Sequence, residues 1–164
     1  MQLLKIGHSK ISADDGHSVA YALLAKLWQA EFGEALPQIA CTERGKPYFV
    51  DEKIHFSITH TKHNAFCAVS DVSVGIDAEE LDREIKPALA EKILSPEEYV
   101  QYIAAEDKNR ALMTFWVLKE AQAKCTGEGL RGYPNKTSFS LGDPRVQERN
   151  GCLVAVIKEN DDAF

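Results

Sequence analysis

Val19, Leu23, Leu24, Leu27 and Trp28 recur at the spacing that lines one face of an amphipathic helix. Asp14 and Asp15 can cap its start, and Gly33 with Pro37 ends it. Beyond Pro37 the period shortens. Gln38 to Thr42 reads as a short strand and Arg44-Gly45-Lys46-Pro47 as a turn. Ile54 to Thr59 alternates apolar and polar, as a half-buried strand does. Ala65 to Val69 and Val72 to Ala78 read as two more strands, with a turn near Ser70-Asp71. The second half turns helical. Ser95-Pro96-Glu97-Glu98 offers serine at the N-cap, proline at the first position and glutamate at the third. Asp107 can cap a longer helix to about Lys124, ended by Gly127 and Gly129. Phe139 with Leu141, then Leu153 to Ile157, read as closing strands. Helices and strands segregated in this order predict an α+β fold with antiparallel pairing.

A length of 164 residues suits one compact domain, or two small halves sharing one core. Hydrophobic residues make up 45% and charged residues 27%, the balance of a globular chain rather than a disordered one. The net charge of −6 excludes bulk attraction to nucleic acid or anionic membrane. An anionic substrate would need a local basic pocket. No apolar run approaches the roughly 20 residues that span a bilayer. Met1 to Lys10 lacks the apolar core of a secretion signal. Cys41, Cys67, Cys125 and Cys152 form no close pair, so neither a zinc knuckle nor a redox motif is suggested. Reduced thiols and a cytoplasmic location are expected.

The chemistry begins at Val74-Gly75-Ile76-Asp77-Ala78-Glu79. Residues two apart on a strand face the same way, so Asp77 and Glu79 project together, roughly 7 Å apart at the backbone. Ile76 and Ala78 then point into the core. Two such carboxylates repel unless a cation stands between them, and hard divalent cations prefer these oxygens. Gly75 would let a ligand or another backbone approach. The plainer reading is a solvated strand end that leads into an acidic turn. On the helix from Asp107, Leu112, Phe115, Trp116 and Ala123 share one face, with Lys119 inside the stripe and Glu120 on its edge. A lysine there must reach out to water or meet an anion. Glu120 and Lys124 lie one turn apart, so this face could offer a third carboxylate to a metal and two ammonium groups to phosphates; alternatively they form an ordinary helical pair. Arg44 and Lys46 can present cations to a phosphate or an adenine ring, or simply solvate their turn. His60 stands between Thr59 and Thr61, whose hydroxyls can donate to phosphate oxygens.

The order of these segments resembles the 4′-phosphopantetheinyl transferase superfamily, in its surfactin-synthetase type. The resemblance runs from Arg44-Gly45-Lys46-Pro47 through Phe56-Ser57-Ile58-Thr59-His60-Thr61 and Val74 to Glu79. It ends with Phe115-Trp116-Val117-Leu118-Lys119-Glu120-Ala121, Lys124, Gly127, Gly129 and Leu130. The resemblance implies two similar α+β halves packed as a pseudo-dimer, at about residues 1–72 and 73–164, with the active site between them. It makes Asp77, Glu79 and Glu120 the carboxylates for Mg²⁺ and Glu120 the candidate base, acting directly or through a water. Lys119 and Lys124 would contact the pyrophosphate of coenzyme A or support the reacting centre. Arg44, Lys46, Pro47, Thr59 and His60 would surround the nucleotide and its phosphates. Ser57 and Thr59 stand where the family commonly has Asn and Ser, Ala78 replaces a larger aliphatic residue, and only Lys5 and Lys10 precede the first helix.

The implied reaction is attack by a serine hydroxyl of an acyl or peptidyl carrier protein on the phosphorus that bears the pantetheine arm. The product 3′,5′-ADP leaves, and the carrier belongs to fatty-acid, polyketide or nonribosomal-peptide synthesis. A monomer suffices if the two halves supply one site. In the family, the region matching Asp82 to Arg110 lies near the carrier-binding edge. Here it holds Arg83, Lys86, Lys92, Lys108 and Arg110 beside Ile85, Leu89, Ile93 and Leu94 at helical spacing, which equally describes a helix with its apolar face in the core. Other readings of the same residues are a coenzyme A-binding protein without transferase activity, a Mg²⁺-dependent phosphodiesterase, and an interaction protein whose charged motifs are all surface.

Overall fold

The computed structural model describes residues 2–13, 15–130 and 134–161. The order is β1 (Leu4–Lys10), α1 (Gly16–Phe32), β2 (Ile39–Cys41), β3 (Pro47–Phe49), β4 (His55–His60), β5 (Asn64–Ser70) and β6 (Val74–Glu80). It continues with α2 (Leu89–Ile93), α3 (Pro96–Ala104), α4 (Lys108–Thr126), a 3₁₀ turn at Pro134–Lys136, β7 (Val146–Arg149) and β8 (Cys152–Lys158). The fold is α+β, and the strands pair antiparallel in the orders β1-β5-β4, β2-β3 and β6-β8-β7. Among the described residues no helix is long and apolar enough to cross a membrane. All four cysteines are free.

The helix starts follow the capping chemistry. Asp15 accepts from the Ser18 amide at 2.9 Å, and α1 ends at Gly33 in the left-handed region. Asp14, the other expected cap, lies outside the described residues. Ser95 and Glu98 form the reciprocal capping box of α3. Asp107 caps α4, and Gly127 closes it with φ +76°.

Strand alternation sorts the core into layers. On β5, Cys67 and Val69 pack with Phe56 against Leu24 and Trp28 of α1. Phe66 and Ala68, on the other face of β5, meet Val74, Ile76, Ala78, Cys152 and Val154 of β6 and β8. The far face of β8, with Leu153, Ala155 and Ile157, carries Leu112, Phe115 and Leu118 of α4. The stack is therefore helix, sheet, sheet, helix. Ile85, Ile93 and Leu94 enter the α4 core, while Lys86 and Lys92 stay exposed.

Four elements differ from the sequence expectation. β1, β3 and β7 fall where no strand was expected; β1 shows no alternation, being exposed at Leu4, Lys5 and Lys10 and half-buried between them, and takes its register from β5. Phe139 and Leu141 form no strand. Their amides go to side chains of α3 instead: Phe139 N donates to Glu98 Oε2 at 2.9 Å and Leu141 N to Gln101 Oε1 at 3.1 Å. β8 pairs on that side with β7, through Val146↔Ala155 and Gln147↔Val154.

Gly75 lies where α4 crosses β6. A β-carbon there would overlap the Ala121 carbonyl oxygen and crowd the Cys125 amide. The close approach expected at this glycine is made by the backbone of α4. Gly75→Ala should lower stability by about 1–3 kcal/mol, the usual range for an overpacked core. Urea denaturation measures it, and wild-type stability would show that α4 can be pushed outward freely.

Candidate functional site

Asp77 and Glu79 share one face of β6, as the strand period requires, but that face is not open to water. Asp77 is 7% exposed because α4 covers it. Its Oδ1 accepts from Lys124 Nζ at 3.1 Å and from Thr59 Oγ1 at 3.3 Å. Its Oδ2 is buried with no hydrogen-bond partner among the described residues. Burial pushes the Asp77 carboxyl up to about 6 against the pull of Lys124, with the Glu79 charge adding to the rise. Glu79 is otherwise engaged. Arg83 Nη1 donates to both of its oxygens at 2.6 Å, and Trp116 Nε1 donates to Oε1 at 3.2 Å.

α4 supplies the next groups. Lys124 gives its other hydrogens to Ile76 O at 3.0 Å and Ile58 O at 3.3 Å, one carbonyl on each side of the gap between β6 and β4. Glu120, one turn earlier, is half-buried and makes no hydrogen bond or ion pair among the described residues. Its carboxyl is pushed up to about 7 by burial and by the charge of Asp77, with Lys124 opposing and Glu79 assisting. Glu120 and Asp77 thus lie within each other's field.

A cavity of about 290 Å³ opens beside Glu120. Arg44, Lys46 and Pro47 form one wall, Ser57 and Ile58 of β4 a second, and Glu120, Lys124, Gly127, Gly129 and Leu130 the third. Lys46 is fixed there. Its ammonium donates to Ser73 Oγ and to Cys125 O, both at 2.7 Å, so it also caps the last turn of α4. Burial lowers its pKa.

The remaining expected groups stand elsewhere. Thr59 does not line this cavity; its hydroxyl is spent on Asp77. His60, at the exposed end of β4, borders a second opening with Glu79 and Arg83. Lys119 is 2% exposed and meets a buried anion rather than a phosphate. Its Nζ lies 2.7 Å from Glu98 Oε1, Pro134 O and Thr137 O, which accounts for all three hydrogens. Of the two roles expected of Lys119, pyrophosphate contact or support of the reacting centre, this placement matches a supporting one: the ammonium holds the carbonyls of Pro134 and Thr137. Burial holds its pKa below the usual value despite Glu98.

Several contributors escaped the sequence reading. Glu98 doubles as capping-box residue and ion-pair partner; only the first role has a local signal. Ser57 Oγ accepts from Ile76 N at 3.1 Å, tying β4 to β6. Arg83 showed as one basic residue among several, with nothing to point it at Glu79.

The fit to a divalent cation rests on two observations. Asp77 Oδ2 is a buried, orphaned carboxylate oxygen, and Glu120 is an uncommitted carboxylate in its field. Mg²⁺ commonly takes one or two protein carboxylates and completes its shell with phosphate and water, so this donor set suits it. Among the described residues no three His, Cys, Asp or Glu groups are disposed to enclose a metal alone. Glu79 is held by Arg83.

The geometry therefore defines an α+β protein with an acidic pair beside a basic-walled cavity. A family model described as the 4′-phosphopantetheinyl transferase superfamily matches residues 73–159, more than half of the chain. The chain belongs to the 4′-phosphopantetheinyl transferase superfamily. It is 37% identical over 121 residues to the 4′-phosphopantetheinyl transferase gsp of Aneurinibacillus migulanus, covering 72% of this chain and 46% of that protein. It is 37% identical over 78 residues to psf-1 of Bacillus pumilus, covering 46% and 33% respectively. It is 34% identical over 98 residues to HetI of a Nostoc species, covering 53% and 40%. Each match spans less than half of the relative's own length.

Two outcomes follow from the buried charges. Lys119→Met would strand the Glu98 carboxylate without its counter-ion and should remove about 3–5 kcal/mol in urea denaturation. A loss below about 1 kcal/mol would show that the pair is dispensable. For Glu120, a pKa raised on folding means that the folded chain keeps a proton the unfolded chain has released. Wild-type stability without metal should therefore decline as pH rises from 4.5 toward about 7. Glu120→Gln should match wild type near pH 4 and exceed it at pH 8. Parallel curves across that window would show Glu120 to be freely solvated.

Proposed function

We propose that this chain transfers the 4′-phosphopantetheine arm of coenzyme A to a serine of an acyl or peptidyl carrier protein. The observation that carries this reading is Glu120: an uncommitted, half-buried carboxylate raised toward neutrality, on a cavity walled by Arg44, Lys46 and Lys124. In this reading the site lies between two similar halves, residues 1–72 and 73–164, packed as a pseudo-dimer. Each contributes a three-stranded antiparallel sheet with a long helix on its outer face. The chain would act as a monomer, in the cytoplasm, where its cysteines remain thiols.

The nucleotide end of coenzyme A enters between the Arg44–Pro47 turn and α4. Arg44 and the remaining hydrogen of Lys46 meet its phosphates, and Pro47 gives the adenine an apolar edge. Lys124, still bound to Ile58 O and Ile76 O, supports the reacting centre with its positive charge, and His60 approaches from the Glu79 side. Thr59 and Lys119 act indirectly: the first orients Asp77, the second holds the carbonyls of Pro134 and Thr137. Bound Mg²⁺, held by Asp77 and Glu120 with Glu79, would neutralise charge that builds on the pyrophosphate. Glu120 accepts the serine proton, directly or through a water. The serine oxygen bonds to the phosphorus of the arm as the bond from that phosphorus to the bridging oxygen breaks. The 3′,5′-ADP leaves with that electron pair. Positioning and charge complementarity supply most of the acceleration, as is usual for phosphoryl transfer.

A second reading, coenzyme A binding without transfer, is favoured by one observation: Glu79 is already neutralised by Arg83. Intact mass spectrometry of apo-carriers incubated with the chain, coenzyme A and Mg²⁺ separates the readings. A carrier should gain the mass of the arm, and Glu120→Gln or Asp77→Ala should slow this at least about a hundredfold. Coenzyme A bound but unchanged would leave a binding protein. Coenzyme A hydrolysed without carrier would identify a phosphodiesterase.

A further inference from the structure

We propose that Arg83 sets the affinity of the carboxylate cluster for a divalent cation, by holding Glu79 as an internal counter-ion that the metal must displace. This rests on reading Asp77, Glu79 and Glu120 as a metal site. One guanidinium nitrogen of Arg83 lies 2.6 Å from each Glu79 oxygen, so the edge that would face a metal is occupied. The partners differ sharply in exposure: the Glu79 side chain is 12% exposed and that of Arg83 is 58%. The glutamate is embedded, whereas the arginine can be drawn into water.

The backbone of Arg83 is held independently of its side chain. Its amide donates to Glu80 O at 3.0 Å, and its carbonyl accepts from Asn109 Nδ2 at 2.8 Å. The guanidinium can therefore swing away while the turn stays in place. Trp116 keeps its bond to Glu79 Oε1, so the carboxylate remains aimed after Arg83 departs. Lys124 holds the matching position at Asp77, but its hydrogens also join Ile58 O to Ile76 O. Lys124 cannot leave without opening the contact between β4 and β6. Arg83 is the exchangeable cation of the two.

Mn²⁺ titrated into the metal-free full chain, followed by loss of the free-ion electron paramagnetic resonance signal, tests this. The site is the binding that Asp77→Asn abolishes. Arg83→Gln should tighten it about two- to fivefold, the range an exposed ion pair supplies. Arg83→Lys, which restores a cation, should return the wild-type value. Lys86→Gln removes the same charge from an exposed position three residues away and should change nothing. An unchanged constant in Arg83→Gln, or equal tightening in Lys86→Gln, overturns the role of Arg83 and leaves the metal reading standing. A wild type without Asp77-dependent Mn²⁺ binding overturns both.

Discussion

Lys124 stands between the facing edges of β4 and β6 and takes a backbone carbonyl from each, together with one oxygen of Asp77. The two strands belong to different sheets and share no ladder. Their contact is made by side chains: Lys124 to both carbonyls, Ser57 to the Ile76 amide, Thr59 to Asp77. An ammonium can do this only if its helix lies close, and Gly75 lets α4 lie almost against the strand. One missing β-carbon thus governs how the sheets meet and how far the helix charges stand from the strand charges.

From that geometry the charge balance follows. Asp77 sits under α4 with too little water to remain a comfortable anion, and Lys124 offsets only part of the cost. Glu120, a turn earlier on the same helix, is brought into the same field without a cation of its own. Among the described residues, the same close packing that secures the seam leaves one carboxylate oxygen unpartnered and one carboxylate uncommitted. A fold built only for stability would neutralise both. The wall opposite, with Arg44 and Lys46, holds the positive charge that a phosphorylated ligand needs. The net charge of the chain gave no hint of that local arrangement.

How much of this was legible depends on the range of each interaction. The shared face of Asp77 and Glu79 follows from a period of two, and the shared face of Glu120 and Lys124 from a helical turn, so both could be read directly. The caps at Asp15, Ser95 and Asp107 are three-residue signals and were equally plain. The partner of Lys119 was not legible because its anion, Glu98, comes from another helix and already had a complete local explanation as a capping residue. The same carboxylate diverts the Phe139 amide, which is why an apolar alternation there formed no strand. Arg83 reaches Glu79 across the turn after β6, a geometry that charge spacing alone does not single out. β1 was missed because its pairing with β5, more than fifty residues away, does more to define it than its own pattern.

The departures at Ser57 and Thr59 become intelligible in the same terms. Both lie on β4 at the seam and both are buried, and Ser57 also borders the cavity. Ser57 has to accept one hydrogen bond from the Ile76 amide, and Thr59 has to donate one to Asp77. A hydroxyl performs either task, and a short side chain suits a gap narrowed by Gly75. The hydrogen bond from the Thr59 hydroxyl favours the Asp77 anion, against the burial that favours the neutral acid. The hydroxyl at this position therefore bears directly on the charge of Asp77. Substitution here is constrained by the hydrogen-bond count of the seam more than by the shape of whatever occupies the cavity.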